Sequence, residues 1–384
     1  MKVRFETFGC RLNRAEALQQ EAEYLAGGWE VTEKNAEADL IIVRGCSVTA
    51  RAQRECEKRI AHLKKRYPLK KFIITGCLAK AEKFPLKAPL AVPVRTARAY
   101  LKIQDGCSGR CTFCIVPQFR GTSVSVDFTA LVDQARRFID AGYHEIVLTG
   151  CNLSLYASQG KRLAELVDAL AALDENCRIR LGSVEPGAAA LDLVEVMAAH
   201  GNICRFLHIP VQSGSNRMLS AMRRPYLVRD VEALVKKAVA AMPFIGLGCD
   251  LMTGFPGETD ADFTMTQGLL KRLNFSNAHI FPYSERPGTI AAGYPDALPR
   301  ELRRHRAHEL AAIAAVYRRR AAEKFLGKDV EMIVEDEENR TGWTGEYFPC
   351  KVTTARNEAL IKRKQLVKVH VMDVKGDVLK GVVI

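Results

Sequence analysis

Apolar and polar positions follow two alternating periods along the first 80 residues. VRFETF, ADLIIVRG and KKFIITG have the apolar density of buried strands, whereas 13–26 and 48–67 repeat their apolar positions at helical spacing. Strands that alternate with helices in this way are typical of a parallel sheet covered by helices. The pattern therefore predicts a small α/β domain over residues 1–80.

A second alternation begins at Tyr100 and continues further. Its strand-like segments are YLKIQD, HEIVLTG, RIRLGSVE, RFLHIPVQ, GLGCDLMTGF and NAHIFPYS, separated by helical stretches such as 126–141 and 227–241. Six strand–helix repeats favour a barrel-like array over an open sheet. We therefore predict a partial (βα)6 barrel over residues 100–299, with its chemistry in the loops that follow the strands.

The pattern changes on both sides of this barrel. Residues 81–99 contain Pro85, Pro89 and Pro93 and no clean period, which predicts a linker. Residues 300–324 are predicted to form a basic connecting helix. Residues 325–384 read as short alternating strands with glycine turns, which predicts a small β-barrel.

The net charge of this chain is +13, and its excess of basic residues is concentrated in two segments. Residues 1–80 carry 16 Lys and Arg against 10 Asp and Glu, and residues 300–324 carry 8 against 3. A polyanionic partner such as nucleic acid and a plain solvated basic face explain this excess about equally well. The start alternates apolar residues with Lys2, Arg4 and Glu6, and no long apolar run follows, so we expect a cytoplasmic protein without membrane contact.

The strongest chemical signal is DGCSGRCTFCIVP, directly after the first strand of the predicted barrel. Cys107, Cys111 and Cys114 form a C-x3-C-x2-C array. Three such thiolates can hold three irons of a [4Fe-4S] cluster and leave the fourth iron without a protein ligand. A closed zinc site would need a fourth ligand nearby, and a disulfide would leave one cysteine over. The array therefore favours an iron-sulfur cluster with an open position.

Three isolated cysteines share one sequence context. Cys10 in TFGC, Cys46 in VRGC and Cys77 in ITGC each follow a strand and a glycine. Neighbouring parallel strands end at the same sheet edge, so we expect the three thiols to form one site. Each cysteine alone would more simply be a packing residue. We assign that packing role to the remaining cysteines, which are Cys56, Cys151, Cys177, Cys204, Cys249 and Cys350.

The barrel array, with Phe113 just before its last cysteine, resembles the radical S-adenosylmethionine (SAM) enzymes. Together with a second three-cysteine site and a β-barrel tail, it resembles the methylthiotransferases over nearly the whole chain. Further matching stretches are CIVPQFRG, GYHEIVLTGCN, RIRLGSVEP, HIPVQSGSNRML, LMTGFPGET and FPYSERPGT. The resemblance implies a Rossmann-like N-terminal α/β domain, here trimmed, a partial radical SAM barrel, and a TRAM-like RNA-binding β-barrel.

The resemblance also implies a chemistry that uses two [4Fe-4S] clusters and two SAM molecules. The auxiliary cluster, on Cys10, Cys46 and Cys77, would carry a sulfur that one SAM methylates. The other cluster would cleave the second SAM to a radical that abstracts hydrogen from C2 of an adenine. The implied partners are tRNA, at its anticodon stem-loop, an electron donor such as flavodoxin or ferredoxin, and an unidentified sulfur donor.

The residues around the first cysteine carry the substrate prediction. TFGCRLN looks like the branch that modifies N6-threonylcarbamoyladenosine at position 37 of tRNA. The isopentenyladenosine branch reads closer to YGCQMN, and the branch that modifies an aspartate of ribosomal protein S12 reads closer to LGCPKN. Both remain alternatives, as does a non-enzymatic iron-sulfur protein that binds RNA.

Several further residues are candidates for binding. For SAM they are Phe113, Gly150, Asn152, Glu185, Gln212 and Arg224, the last toward a carboxylate. For RNA phosphates they are the run 58–71 together with Arg303, Arg304, Arg306, Arg318, Arg319 and Arg320. Trp343, Tyr347 and Phe348 would either stack on bases or fill the core of the tail.

Overall fold

The computed structural model describes residues 1–79, 96–353 and 361–384. Most of the predicted linker therefore lies outside the described residues. The linker residues that the structure describes are 96–99, and the last of them, Ala99, is the first residue of β5.

The N-terminal unit is a four-stranded parallel sheet with two helices. Its strands are β1 (Lys2–Thr7), β2 (Glu30–Val31), β3 (Leu40–Gly45) and β4 (Lys71–Gly76), in the order β2-β1-β3-β4. Its helices are α1 (Arg11–Ala26) and α2 (Ala50–Arg66). Ile42 packs on one face of the sheet and Ile41 on the other, with Ile60 of α2. Because β3 is covered on both faces, its sequence reads as a continuous apolar run.

The central unit contains ten strands, of which six form two parallel sheets and four form two hairpins. Its strands are β5 (Ala99–Lys102), β6 (Gln104–Asp105), β7 (Val124–Ser125), β8 (Glu145–Thr149), β9 (Ala157–Ser158), β10 (Lys161–Arg162), β11 (Arg178–Arg180), β12 (Phe206–Gln212), β13 (Gly246–Thr253) and β14 (Asn277–Pro282). The main strands form the parallel sheets β11-β8-β5 and β12-β13-β14, which isolated bridges join at Ile179–Ile203 and Ser183–His208. The predicted six-strand array is confirmed. The hairpins β6–β7 and β9–β10 were not predicted.

Helices cover the outside of this array. They are α3 (Val116–Arg120), α4 (Phe128–Asp140), α5 (Leu163–Ala171), α6 (Ala188–Ala199), α7 (Asn216–Ala221), α8 (Val228–Ala241) and α9 (Asp260–Leu273), with short 3-10 turns at Leu153–Leu155 and Ile290–Gly293. Leu207, Ile209 and Val211 of β12 pack in the large apolar core with these helices. Phe206 and His208 alternate with them and lie on the opposite side, which we call the inner face of the barrel.

A long helix and a closed five-stranded barrel complete the chain. They comprise α10 (Arg300–Glu323), β15 (Asp329–Asp336), β16 (Thr341–Thr344), β17 (Pro349–Thr353), β18 (Leu366–Lys375) and β19 (Val378–Val383). The barrel has the order β15-β16-β17-β19-β18, which confirms the predicted C-terminal β-barrel. None of the helices within the described ranges combines the length and apolar character needed to cross a membrane.

One group of contacts between the tail and the central unit lies at the end of β16 and the turn that follows it. Arg178 donates to the carbonyl of Trp343, and Arg180 donates to the carbonyl of Thr344 at 2.8 Å. Both guanidinium groups also pair with Glu145, the first residue of β8, which is fully buried. The turn between β16 and β17 therefore packs against the amino-terminal ends of β8 and β11.

Candidate active site

The ends of β1, β3 and β4 bring Cys10, Cys46 and Cys77 to one edge of the N-terminal sheet. Gly45 and Gly76 are paired in the register of β3 and β4, and each is followed by its cysteine. The N–H of Phe8 donates to the carbonyl of Arg44 at 2.9 Å, so the chain beyond β1 stays beside β3. The predicted gathering of the three cysteines at the sheet edge is therefore present.

Glycine is required at the closest approach between these strand ends. Gly9 has a φ of +98°, and a Cβ there would lie 2.6 Å from the Cβ of Cys46 and 2.8 Å from its Sγ. Asn13 holds the same two ends together, since its buried Nδ2 donates to the carbonyls of Phe8 and Gly45 at 2.8 and 3.1 Å. Both residues fix the spacing of Cys10 and Cys46.

The surroundings of the three cysteines differ. Cys10 is exposed, whereas Cys46 and Cys77 are buried. Burial raises the pKa of the Cys46 thiol to about 11, so a metal bound there would have to displace a proton. Cys56 is buried as predicted, and it lies beside the site, because its Sγ accepts the N–H of Cys46 at 3.4 Å.

The loop between β6 and α3 folds around Cys107, Cys111 and Cys114. The N–H of Cys107 donates to the carbonyl of Gly121 at 3.0 Å, and the N–H of Cys114 donates to that of Cys111 at 3.2 Å. A Cβ on Gly109 would lie 3.2 Å from the Sγ of Cys107 and 3.9 Å from that of Cys111. The thiols of Cys107 and Cys111 therefore face the same glycine. Burial raises the pKa of the third thiol, that of Cys114, to about 11. Three soft sulfur donors in one loop, two of them beside a bare stretch of backbone, fit an iron-sulfur cluster.

A buried network of charges joins the two groups of cysteines. Glu16 of α1 is 2% exposed and accepts hydrogen bonds from Arg44, Lys102 and Arg120 at 2.7, 2.6 and 2.8 Å. Arg120, in CIVPQFRG, also donates to Asn13 at 2.8 Å and to Asp105 at 3.0 Å. Asn13 holds the first group, and Asp105 immediately precedes the loop of the second. This network was not predicted.

The network keeps Glu16 ionised although it is buried. Burial alone would raise its pKa, but the hydrogen bond and charge of Arg120, with the charges of Lys102 and Arg44, outweigh burial and lower it. Cys151, predicted to be a packing residue, donates its thiol to Asp105 at 3.5 Å and so lies at the edge of this network.

Two of the proposed SAM-binding residues lie beside the barrel cysteines. Arg224 donates to the Sγ of Cys111 at 2.8 Å and to Glu185 at 2.5 Å, and both side chains are largely buried. The carboxylate that Arg224 meets is therefore that of Glu185. Gln212 has a φ of +65°, and its buried Oε1 has no hydrogen-bond partner among the described residues. An orphaned buried acceptor at the end of a barrel strand is what a ligand with N–H or O–H groups would satisfy.

The other three residues proposed for SAM make packing or turn contacts. A Cβ on Gly150 would lie 3.0 Å from the carbonyl oxygen of Gln104. The Asn152 side chain accepts the N–H of Ser154 at 3.1 Å. Phe113 packs edge-on against Phe255 at 6.5 Å within an apolar cluster. These contacts shape the loops, and the binding role of the three residues stays a prediction.

The inner face carries an aromatic stack that crosses between units. Tyr347, in the turn between β16 and β17, stacks on Phe206 of β12 and on Trp343, each with ring centroids 4.7 Å apart. Its hydroxyl accepts a hydrogen bond from Arg11 at 2.6 Å. Phe348, in contrast, is buried in the core of the tail. Of its two predicted roles, filling the core is therefore confirmed and stacking on bases is wrong.

A second polar group lies further along the inner face. Asp250 of β13 contacts Nε2 of His208 at 3.0 Å and Nδ1 of His279 at 3.2 Å. Burial alone would raise the pKa of Asp250, but the hydrogen bonds from both imidazoles outweigh it and lower the pKa. In the sequence, these three residues stand out only as polar positions in otherwise apolar strands. The pairing of β12, β13 and β14 is what brings them together.

The predicted phosphate-binding arginines of α10 divide into two sets. Arg303 and Arg306 are buried and pair with Glu285 and Glu258, so the prediction that they contact phosphate is wrong. Arg318 is also engaged, with Asp377. The exposed members are Arg304, Arg319 and Arg320. A run of arginines on a helix does not reveal which of them turn inward.

Comparisons with known proteins agree with this arrangement. Residues 101–270 match the Radical SAM superfamily, and residues 2–92 match "Uncharacterized protein family UPF0004". A tRNA-2-methylthio-N(6)-dimethylallyladenosine synthase of Cereibacter sphaeroides is 32% identical over 87% of this chain and 87% of its own length. The threonylcarbamoyladenosine tRNA methylthiotransferase MtaB of Bacillus subtilis is 31% identical over 96% of this chain and 93% of its own. The chain belongs to the radical SAM methylthiotransferase family.

Solved structures show the same fold over about three quarters of this methylthiotransferase. The radical S-adenosylmethionine methyltransferase TsrM from Kitasatospora setae superposes with a TM-score of 0.56 at 13% identity, covering 76% of this chain and 77% of that one. The radical SAM family implies a [4Fe-4S] cluster and SAM, and the donor set of Cys107, Cys111 and Cys114 fits that requirement.

Proposed function

We propose that this methylthiotransferase adds a methylthio group to C2 of N6-threonylcarbamoyladenosine at position 37 of tRNA, using two SAM molecules and two [4Fe-4S] clusters. The observation that carries the proposal is the pair of three-cysteine groups joined by the Glu16–Arg120 network. A radical site and a sulfur-bearing site must face the same substrate atom, and this network spans the space between them.

The six cysteines divide between two roles. Cys107, Cys111 and Cys114 would hold the cluster that binds SAM, and Cys10, Cys46 and Cys77 would hold the auxiliary cluster. When bound, these groups supply the radical that removes hydrogen from C2 and the methylated sulfur that replaces it. The glycines at positions 9 and 109 keep side chains away from both groups, which leaves room for the clusters.

The charged network holds both groups of cysteines in place. Arg120 makes hydrogen bonds to Glu16, Asn13 and Asp105, so its guanidinium is fixed in orientation. A buried positive charge is thereby held between the two groups of cysteines. Ligand cysteines bind metal as thiolates, so a fixed cation between the two groups suits the negative charge that they would bring.

The polar ends of SAM would meet Gln212 and the Glu185–Arg224 pair. Gln212 offers an unpartnered acceptor to the amine or a ribose hydroxyl. Glu185 offers a carboxylate to the amine, and Arg224 lies close enough to Cys111 to orient both. Arg224 also stabilises the Cys111 thiolate, opposing the rise in pKa that burial causes.

The substrate assignment rests on residues near the first cysteine group. The relatives named for dimethylallyladenosine and for threonylcarbamoyladenosine are 32% and 31% identical, so overall identity does not separate them. The match to the Bacillus subtilis protein covers more of this chain, at 96%, and TFGCRLN favours the same branch. The exposed arginines of α10 and the basic face of α2 would contact RNA phosphates.

The test is a reaction with defined RNA. Reconstituted protein, SAM, sulfide and a reductant are incubated with an anticodon stem-loop that carries threonylcarbamoyladenosine, and the nucleosides are analysed by mass spectrometry. We expect a methylthio product and 5′-deoxyadenosine, both lost in Cys107→Ala. Formation of 5′-deoxyadenosine without any modified nucleoside, on this RNA or on one carrying dimethylallyladenosine, would refute the tRNA assignment.

A further inference from the structure

We propose that Arg11 binds the carboxylate of the threonylcarbamoyl group and so selects this nucleoside over one with an uncharged N6 substituent. The inference rests on the proposed function and deepens it. It assigns specificity to one guanidinium at the junction of the three units.

Arg11 is held in place by an aromatic residue from the opposite end of the chain. It follows Cys10 directly and begins α1, and its Nη2 donates to the hydroxyl of Tyr347 at 2.6 Å. Its guanidinium carbon lies 5.2 Å from the centre of the same ring. Tyr347 is itself fixed between Phe206 and Trp343. The side chain of Arg11 therefore reaches from the first cysteine group to the inner face of the barrel.

Eight of the other cations around the two cysteine groups and along the inner face have carboxylate partners. These pairings are Arg44, Lys102 and Arg120 with Glu16, Arg178 and Arg180 with Glu145, His208 and His279 with Asp250, and Arg224 with Glu185. Arg11 is half-buried and, within the described ranges, makes no ion pair. A partly desolvated guanidinium without an anion favours binding of an anionic ligand, which would compensate its charge.

The two candidate nucleosides differ in the group that Arg11 would recognise. A threonylcarbamoyl substituent ends in a free carboxylate, whereas a dimethylallyl substituent is an uncharged hydrocarbon. The hydroxyl of Tyr347 accepts a hydrogen bond from one nitrogen of the Arg11 guanidinium. The other N–H donors of Arg11 can then bind a planar carboxylate. An RNA phosphate is the other anion that these donors suit, and the experiment separates the two.

The experiment compares three stem-loops of identical sequence in Arg11→Gln and in the wild type. One carries threonylcarbamoyladenosine, one its methyl ester, and one dimethylallyladenosine. Because a charge-assisted pair is lost, we expect Arg11→Gln to raise Kd and KM for the first RNA about tenfold or more. Binding of the ester and of the dimethylallyl RNA should stay within about twofold. Arg14→Gln is the matched control, since Arg14 is an exposed cation on the same helix, and it should change none of the three.

Two outcomes would overturn the inference. An equal loss of affinity for all three RNAs would assign Arg11 to a phosphate, and an unchanged affinity for the threonylcarbamoyl RNA would exclude it from recognition. Iron content and 5′-deoxyadenosine formation without RNA should match the wild type, and Arg11→Lys should recover part of the affinity. A wild-type enzyme that prefers the threonylcarbamoyl RNA but modifies no RNA would instead contradict the proposed function.

Discussion

Glu16 forms ion pairs with three cations beside the candidate active site. Three cations converge on its two oxygens, and all four groups are at most 10% exposed. Removing one partner from such a group leaves charges that neither water nor another carboxylate can compensate. We therefore expect Glu16 to contribute both to stability and to the relative placement of the two cysteine groups.

Glu16→Gln should lower the free energy of unfolding by about 3–5 kcal/mol, because Arg44, Lys102 and Arg120 lose their shared anion. Denaturant unfolding of the metal-free protein measures this. The control is Glu57→Gln, since Glu57 is exposed and its side chain accepts a hydrogen bond from Gln53, one turn earlier. The control should change stability by less than about 0.5 kcal/mol. Equal effects of the two substitutions would contradict the role given to Glu16.

Gly9→Ala should impair the auxiliary site selectively. The new Cβ would lie 2.6 Å from that of Cys46, so Cys10 and Cys46 must move apart. We expect iron content to fall by about half, as one of two clusters is lost, while 5′-deoxyadenosine formation persists. Gly28→Ala imposes a similar backbone strain, at a φ of +81°, but a Cβ there has nothing within 4 Å. It should keep its iron, and a loss of iron in both variants would indicate general misfolding.

At the scale of elements, the edge of the N-terminal sheet decides where the cysteines meet. The strand–Gly–Cys context and the period of the strands were sufficient to predict this edge, because the ends of parallel strands coincide. The Glu16–Arg120 contact was not predictable, since its members are 104 positions apart and belong to different units. The inward arginines of α10 were misassigned because a helical charge pattern alone does not show which side packs against β13 and β14.

The contact between β8, β11 and the tail should make stability depend on pH. Burial alone would raise the pKa of Glu145, but Arg180 and Arg178 outweigh it and hold the pKa well below its usual value. A lowered carboxylate pKa contributes stability above the unfolded value, near 4.3, and loses it as the pH falls. We expect unfolding midpoints to drop between about pH 5 and pH 3, with a shallower drop in Glu145→Gln. Parallel pH profiles for the two proteins would refute this contribution.

At the scale of the whole molecule, three units meet at one contact. The N-terminal unit provides Arg11, which follows Cys10, the barrel provides Phe206, and the tail provides Tyr347. The family and the fold of these units were predictable from motifs and periodicity. The meeting of Arg11 with Tyr347, 336 positions apart in sequence, required the structure.

The iron content of the reconstituted protein tests the central claim, which is that one chain holds two open clusters. We predict about eight irons per chain, falling to about four when Cys10, Cys46 and Cys77 are all replaced by alanine, with 5′-deoxyadenosine formation retained. A wild-type value of about four irons, unchanged by that triple substitution, would contradict the account.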